Sequence, residues 1–284
     1  MSSELQSRVS QVKESALKNN LQGEELLSLA KDCISQKAEK KLLHQLLDIA
    51  HLSSVSNYIH KTKQVDIWFN YLLEIIQLSR FNVGYLLEQR AKKYNEKIAF
   101  YVIENGELYD ISYSSLWKKV TEIGRGLSLL NNKDDQPIIG LLTHNQLNGV
   151  LVDLACLSFG YKIIPIPLNS TTEHASYIIN HSDISHLFID GKNAGKIWNE
   201  IKHLHKIDTI SLNEANQNAN YSMNWDSFLS SSDKVQGFKV REHLDNVDMK
   251  AIQTIMYTSG TTANPKGIVF DQINIISKRF ARAL

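Results

Sequence analysis

The first stretch of the chain carries apolar residues at helical spacing. From Met1 to about Leu78 it has no proline and a single glycine. Leu26, Leu27, Leu29 and Ala30, then Leu42, Leu43, Leu46, Leu47 and Ala50, would each line one face of a helix. The pattern predicts a small all-helical unit over residues 1–80. Trp68, Phe69, Tyr71, Leu72, Ile75 and Ile76 continue it into a last helix with a wide apolar face. Packing within its own bundle or on the next domain is the first reading of that face, and docking of a protein partner is the alternative.

Around Ser79-Arg80-Phe81-Asn82 the texture changes to alternating strand and helix signals, and a domain boundary is expected there. Ala99 to Glu104 and Glu107 to Ser112 flank Asn105-Gly106, a dipeptide suited to the positive φ angles of a tight turn, so they should pair as a hairpin. A helix from Ser114 to about Leu130 follows, then a strand Pro137 to Thr143 and a helix from about Asn145 that stops before Gly160. The alternation continues with a strand Ile163 to Leu168, a helix Thr172 to Asn180, a strand His186 to Asp190, a helix Ala194 to His203 and a strand Thr209 to Leu212. Strands apolar on both faces, separated by helices, predict an α/β fold with a parallel sheet covered by helices. Asn213 to Asp248 is polar and reads as surface loop with one short helix around Trp225 to Leu229.

The candidate chemistry lies after that loop. The apolar strand Ala251 to Met256 runs into Tyr257-Thr258-Ser259-Gly260-Thr261-Thr262-Ala263-Asn264-Pro265-Lys266-Gly267, and Ile268-Val269-Phe270 forms a second strand. Small hydroxyl residues let several backbone N–H groups and side chains converge on one point, and Lys266 adds a positive charge; a polyphosphate needs that combination. The nucleotide loop of P-loop NTPases is excluded, because it sets a lysine directly before serine or threonine at a helix start. Here Lys266 precedes Gly267 and a strand.

This segment resembles the phosphate loop of the adenylate-forming (AMP-binding) superfamily, Tyr-Thr-Ser-Gly-Thr/Ser-Thr-Gly-x-Pro-Lys-Gly. Two earlier stretches are similar to the family in the same order: Ile111-Ser112-Tyr113-Ser114-Ser115-Leu116, and Leu154 to Leu168 with its helix-glycine-strand texture. The resemblance covers roughly residues 81–284. It implies the N-terminal part of an adenylation domain, incomplete at Leu284, behind a helical extension. It also implies ATP-dependent activation of a carboxylic acid to an acyl-adenylate, then transfer to a thiol of CoA or a carrier protein. An acyl-CoA synthetase or fatty-acyl ligase is the first reading. The adenylation domain of a larger reductase or peptide synthetase, or a non-catalytic nucleotide-binding scaffold, are the alternatives. By the resemblance, Thr258, Ser259, Gly260, Thr261, Thr262, Ala263, Lys266 and Gly267 would hold ATP phosphates, with Lys266 the catalytic cation. The magnesium-binding glutamate and a late lysine would lie downstream, leaving these 284 residues inactive alone. Two departures stand out: Ala263 where a second loop glycine is usual, and Gln272 where a histidine is common, which would alter the lining of the acyl or adenosine side.

Composition narrows the partners. The 284 residues hold 31 basic and 30 acidic side chains, a balance that offers no global field to nucleic acid or an anionic membrane. Lys278-Arg279-Phe280-Ala281-Arg282 reads as the solvated face of a helix. The two cysteines, Cys33 and Cys156, are far apart, and the polar start lacks an apolar stretch, so a reduced, cytoplasmic setting is expected. The apolar tract Val150 to Leu168 is broken by Asp153, Gly160, Lys162 and prolines, and predicts buried helix and strand rather than a membrane span. His174, His181, His186, His203 and His205 lack zinc-site spacing and are assigned to packing or the surface.

Overall fold

The fold was obtained as a computed structural model, which describes residues 2–22, 24–104, 106–131, 136–213, 221–258 and 264–281. The chain forms two compact units, Met1–Asn82 with Ile273–Leu284, and Val83–Gln272.

The first unit contains α1 (Ser2–Leu17), α2 (Glu25–Ser35), α3 (Lys40–Ala50), α4 (Ser53–Lys61) and α5 (Val65–Ser79). Leu26, Leu29, Leu43, Leu46 and Leu47 are buried, as the spacing predicts, and so is Val55 on α4. On α5 the residues Trp68, Leu72, Ile75 and Ile76 are turned inward, and the helix packs on α2 and α3. Its wide apolar face is thus used largely by its own bundle. Each such side chain taken fully from water contributes about 1.5–3 kcal/mol before conformational entropy is set against it.

The second unit begins with α6 (Val83–Tyr94), which the sequence pattern did not distinguish. β1 (Ile98–Glu104) and β2 (Glu107–Ser112) form the expected antiparallel hairpin, closing at Glu104 and Glu107 with Gly106 at φ +82°. Next come α7 (Tyr113–Ser128), β3 (Ile138–Leu142), α8 (Leu147–Phe159), β4 (Lys162–Pro165), α9 (Thr172–His181), β5 (His186–Ile189), α10 (Lys192–Ile201) and β6 (Asp208–Ser211). Side-chain oxygens of Ser112 and Thr171 accept from backbone N–H groups in the first turns of α7 and α9. Gly160 ends α8 at φ +80°, a left-handed conformation that an L side chain resists.

The polar stretch after β6 holds two short helices rather than one, α11 (Trp225–Ser232) and α12 (Val240–Asn246). Phe228 of α11 is fully buried and meets the ring of Phe188 on β5 edge-on at 5.3 Å, so this segment covers the sheet. β7 (Ile252–Thr258), β8 (Lys266–Asp271) and α13 (Gln272–Ala281) complete the described chain.

The sheet order is β6-β5-β3-β4-β7-β8. All neighbours are parallel, as the alternation of strands and helices predicts, except β7 and β8, which pair antiparallel at one edge. The reason is geometric: the link from Thr258 to Lys266 is too short for a crossover, which needs a dozen or more residues. A core of Leu142, Ile164, Ile178, Leu187, Ile189 and Trp198 lies against α9 and α10.

Candidate functional site

The phosphate-loop candidate hangs from the carboxyl end of β7. In open α/β sheets ligands collect outside that edge. β7 and β8 stay in register to the mouth of the loop, with Tyr257 opposite Gly267 and Thr258 opposite Lys266. Lys266 and Gly267 are therefore strand residues, so β8 starts two residues earlier than the apolar run Ile268-Val269-Phe270 indicates. The Thr258 hydroxyl donates to the Lys266 carbonyl across the mouth at 3.4 Å. Both side chains are exposed, while Pro265 beside them is buried. A hydroxyl and an ammonium thus emerge from facing positions of two adjacent strands. Ser259, Gly260, Thr261, Thr262 and Ala263 lie outside the described residues.

Gly267 is required by its neighbours. A Cβ there would sit 2.8 Å from Ile255 Cγ2 and 3.3 Å from two ring atoms of Tyr257. The bare backbone lets the Tyr257 ring lie across the opposite strand.

Tyr257 is itself anchored. Its side chain is buried, and its hydroxyl lies 2.7 Å from both His181 Nδ1 and Ser182 Oγ. His181 is stacked on Tyr177, with ring centroids 5.1 Å apart. Two other histidines of the group also have structural partners. His205 bonds Ser176 and stacks on Trp198. His186 bonds Ser185 and lies 3.8 Å from Asp208. Burial pushes both His186 and His205 below the ordinary imidazole range; at His186 this outweighs the opposing pull of Asp208.

Gln272 has a structural role that the sequence reading missed. It is fully buried. Its amide nitrogen donates to the Leu157 carbonyl and to Gln253 Oε1, and its oxygen accepts from the Val83 N–H. Gln253 in turn donates to the carbonyls of Tyr161 and Cys156. Cys156 and Leu157 lie in the last turn of α8, and Val83 opens α6. Helix ends carry backbone groups with no partner inside the helix. Two glutamines supply those partners for both ends.

A cleft of about 470 Å³ opens at the carboxyl ends of β3 and β5, where the strand order reverses direction. The β1 edge from Phe100 to Glu104 and the residues His144, Gln146 and Asp190 line it. His144 Nδ1 lies 3.8 Å from the buried Asp190 carboxylate. Sequence reasoning had singled out neither residue.

Residues 87–283 match the family described as AMP-binding enzyme. The chain belongs to this family. Fatty acyl-CoA synthetase A of Dictyostelium discoideum is 30% identical over 185 residues, covering 62% of this chain and 26% of that protein. Tyrocidine synthase 1 of Brevibacillus parabrevis is 22% identical over 194 residues, covering 68% of this chain and 15% of that one. The chain thus spans about a quarter or less of either relative. In fold it is similar to a red-emitting luciferase from Phrixothrix hirtus, with a TM-score of 0.57 at 21% identity over 70% of this chain and 47% of the luciferase. The AMP-binding match contains the whole β7-loop-β8 element and Gln272. Among the described residues no cluster of three or more His, Cys, Asp and Glu side chains could hold a metal ion. No described helix is long and apolar enough to cross a membrane.

Proposed function

We propose that this chain supplies the phosphate-gripping part of an enzyme that activates a carboxylic acid with Mg-ATP, giving an acyl-adenylate and pyrophosphate. Residues 81–284 are then the N-terminal part of the adenylation domain, and residues 1–80 a helical extension. The observation that carries the reading is the facing pair Thr258 and Lys266 at the carboxyl end of β7, a hydroxyl donor and a cation presented to one point. Thr258, Lys266 and Gly267, with residues 259–263, hold the β- and γ-phosphates. Lys266 neutralises charge as pyrophosphate departs, and such positioned charge is the main contribution a protein makes to this chemistry. The relative named a fatty acyl-CoA synthetase favours a fatty acid as substrate and CoA as acceptor. The likeness to tyrocidine synthase 1 supports a carrier-protein thiol as the alternative acceptor. A reduced, cytoplasmic compartment suits the two buried free thiols.

Acid-dependent ATP–pyrophosphate exchange by the complete gene product tests the reading. Lys266→Ala should lower it by about 100-fold or more, since loss of one charge-stabilising donor costs roughly 3 kcal/mol. Unchanged kinetics would show that Lys266 points away from the nucleotide. ATP binding with no exchange across a broad panel of carboxylic acids would favour a non-catalytic nucleotide-binding protein.

A further inference from the structure

Along β7 the parallel ladder with β4 is recorded at one pair, Ile163 with Thr254. Ile255 to Thr258, the part that carries the loop, runs on beyond that pair with β8 as its strand partner. Tyr257 adds a side-chain tie from this end of the hairpin to the body of the unit. Its ring is buried against the α9 core, and its hydroxyl meets both His181 Nδ1 and Ser182 Oγ at 2.7 Å. His181 is the last residue of α9 and Ser182 caps it, so both groups stand on a helix end fixed by Ile178 and Ile179 in the core. The same ring lies across Gly267, within 3.3 Å of where a Cβ would be. One side chain therefore registers the residue before Thr258 and the residue after Lys266.

We infer that His181 and Ser182 are positioning residues for the phosphate-binding loop, acting through the Tyr257 hydroxyl to hold Thr258 and Lys266 at a fixed separation and direction. A phenylalanine at 257 would fill the same apolar space. The hydroxyl is needed for orientation, since it removes the freedom of the ring to slide along α9. Donors aimed before their ligand arrives bind more tightly because less is left to order. This inference rests on reading Thr258 and Lys266 as polyphosphate-binding residues.

Mg-ATP and inorganic tripolyphosphate are the probes, titrated calorimetrically into the 284-residue chain and its variants, with amide hydrogen exchange followed in the free proteins. Tyr257→Phe and His181→Ala should each weaken Mg-ATP binding by about 3–10-fold, the range set by loss of one or two hydrogen bonds. Both should also speed exchange at the amides of Thr258 and Gly267. His181→Asn, whose amide can take the place of Nδ1, should recover most of the affinity. A role confined to stability would lower the melting temperature yet leave affinity unchanged well below it. The inference is overturned if Tyr257→Phe and His181→Ala bind within twofold of wild type, or if His181→Asn is as impaired as His181→Ala. If the wild-type chain binds neither probe, the phosphate-site reading fails; hydrogen exchange then decides the clamp alone, and unchanged exchange at Thr258 and Gly267 in Tyr257→Phe would overturn it.

Discussion

Replacing Gln272 with leucine tests whether the two-glutamine arrangement supports the second unit. Leucine has nearly the shape of glutamine and keeps the site filled, so the cavity contribution is small and the polar contribution is isolated. Three groups lose their partner: the Val83 N–H at the start of α6, the Leu157 carbonyl in the last turn of α8, and Gln253 Oε1. Val83 and Gln253 are buried, so water cannot simply replace what is lost. An orphaned buried group costs about 1–3 kcal/mol. Gln253 still donates to Tyr161 and can partly reorient, and Leu157 is only half-buried, so a total of about 2–4 kcal/mol is expected. At about 2–4 °C per kcal/mol for a unit of this size, melting should fall by about 4–16 °C. Because the chain has two units, a global probe would blur the result. In a Cys33→Ser background, labelling of Cys156 by Ellman's reagent in rising urea reports the unit that contains Gln272. Cys156 is fully buried on the same turn of α8, and its thiol pKa is raised well above the ordinary value by burial. A shift below 1 kcal/mol would refute the argument that these bonds hold the helix ends. Gln272→Glu is the stricter variant: near pH 8 its carboxylate would face two acceptor oxygens, and it should be less stable than Gln272→Leu.

Gly267→Ala should destabilise the hairpin by about 1–3 kcal/mol through the contact with Ile255 Cγ2, and Ile255→Ala should relieve part of that loss in a double-mutant cycle; strict additivity would refute the steric origin. His186 titrates below the ordinary value of 6.5 because burial disfavours its charge, so the unfolded chain binds more protons as pH falls below about 6.5. The stability this provides is present above that value and declines toward acid pH, and His186→Asn should flatten the decline measured by urea titrations between pH 7 and 5. Burial lifts the Cys33 thiol to about 11, so in the native chain it should resist Ellman's reagent at pH 8, and rapid labelling of a full equivalent without denaturant would contradict its placement in the helical unit.

How much of this was legible from the sequence depended on how local each signal is. The hairpin at Gly106 and the end of α8 at Gly160 are set by residues within a few positions, and each appeared where the sequence placed it; the caps at Ser112 and Thr171 are equally local signals that the sequence reading did not use. The antiparallel course of β8 was also readable, because the span from Thr258 to Lys266 cannot hold a crossover; the rule simply had to be applied to loop length rather than to strand composition. The helix α6 escaped because few of its residues face inward, Val83, Gly84, Tyr85 and Ala91, and three of them cluster at its start instead of repeating along it.

The supports of the candidate site were illegible for a different physical reason. A polar side chain is interior only when something buried needs its donors or acceptors, and that need arises from backbone groups elsewhere in the chain. The partners of Gln272 lie 189, 115 and 19 positions away, and those of Tyr257 lie 76 and 75 positions away. Nothing near Gln272 in sequence announces that the ends of α6 and α8 will converge on it, so it reads as a departure from a family histidine when it is a partner to two helix ends. His181 shows the same limit, since lack of metal-site spacing correctly argued for packing but could not say what is packed. The candidate phosphate loop is recognisable because its residues are consecutive, whereas the contacts that anchor Tyr257 beside it are carried by the fold. Sequence comparison alone would therefore rate Tyr257→Phe conservative, and the hydrogen bonds to His181 and Ser182 are the reason to expect a loss of ligand affinity instead.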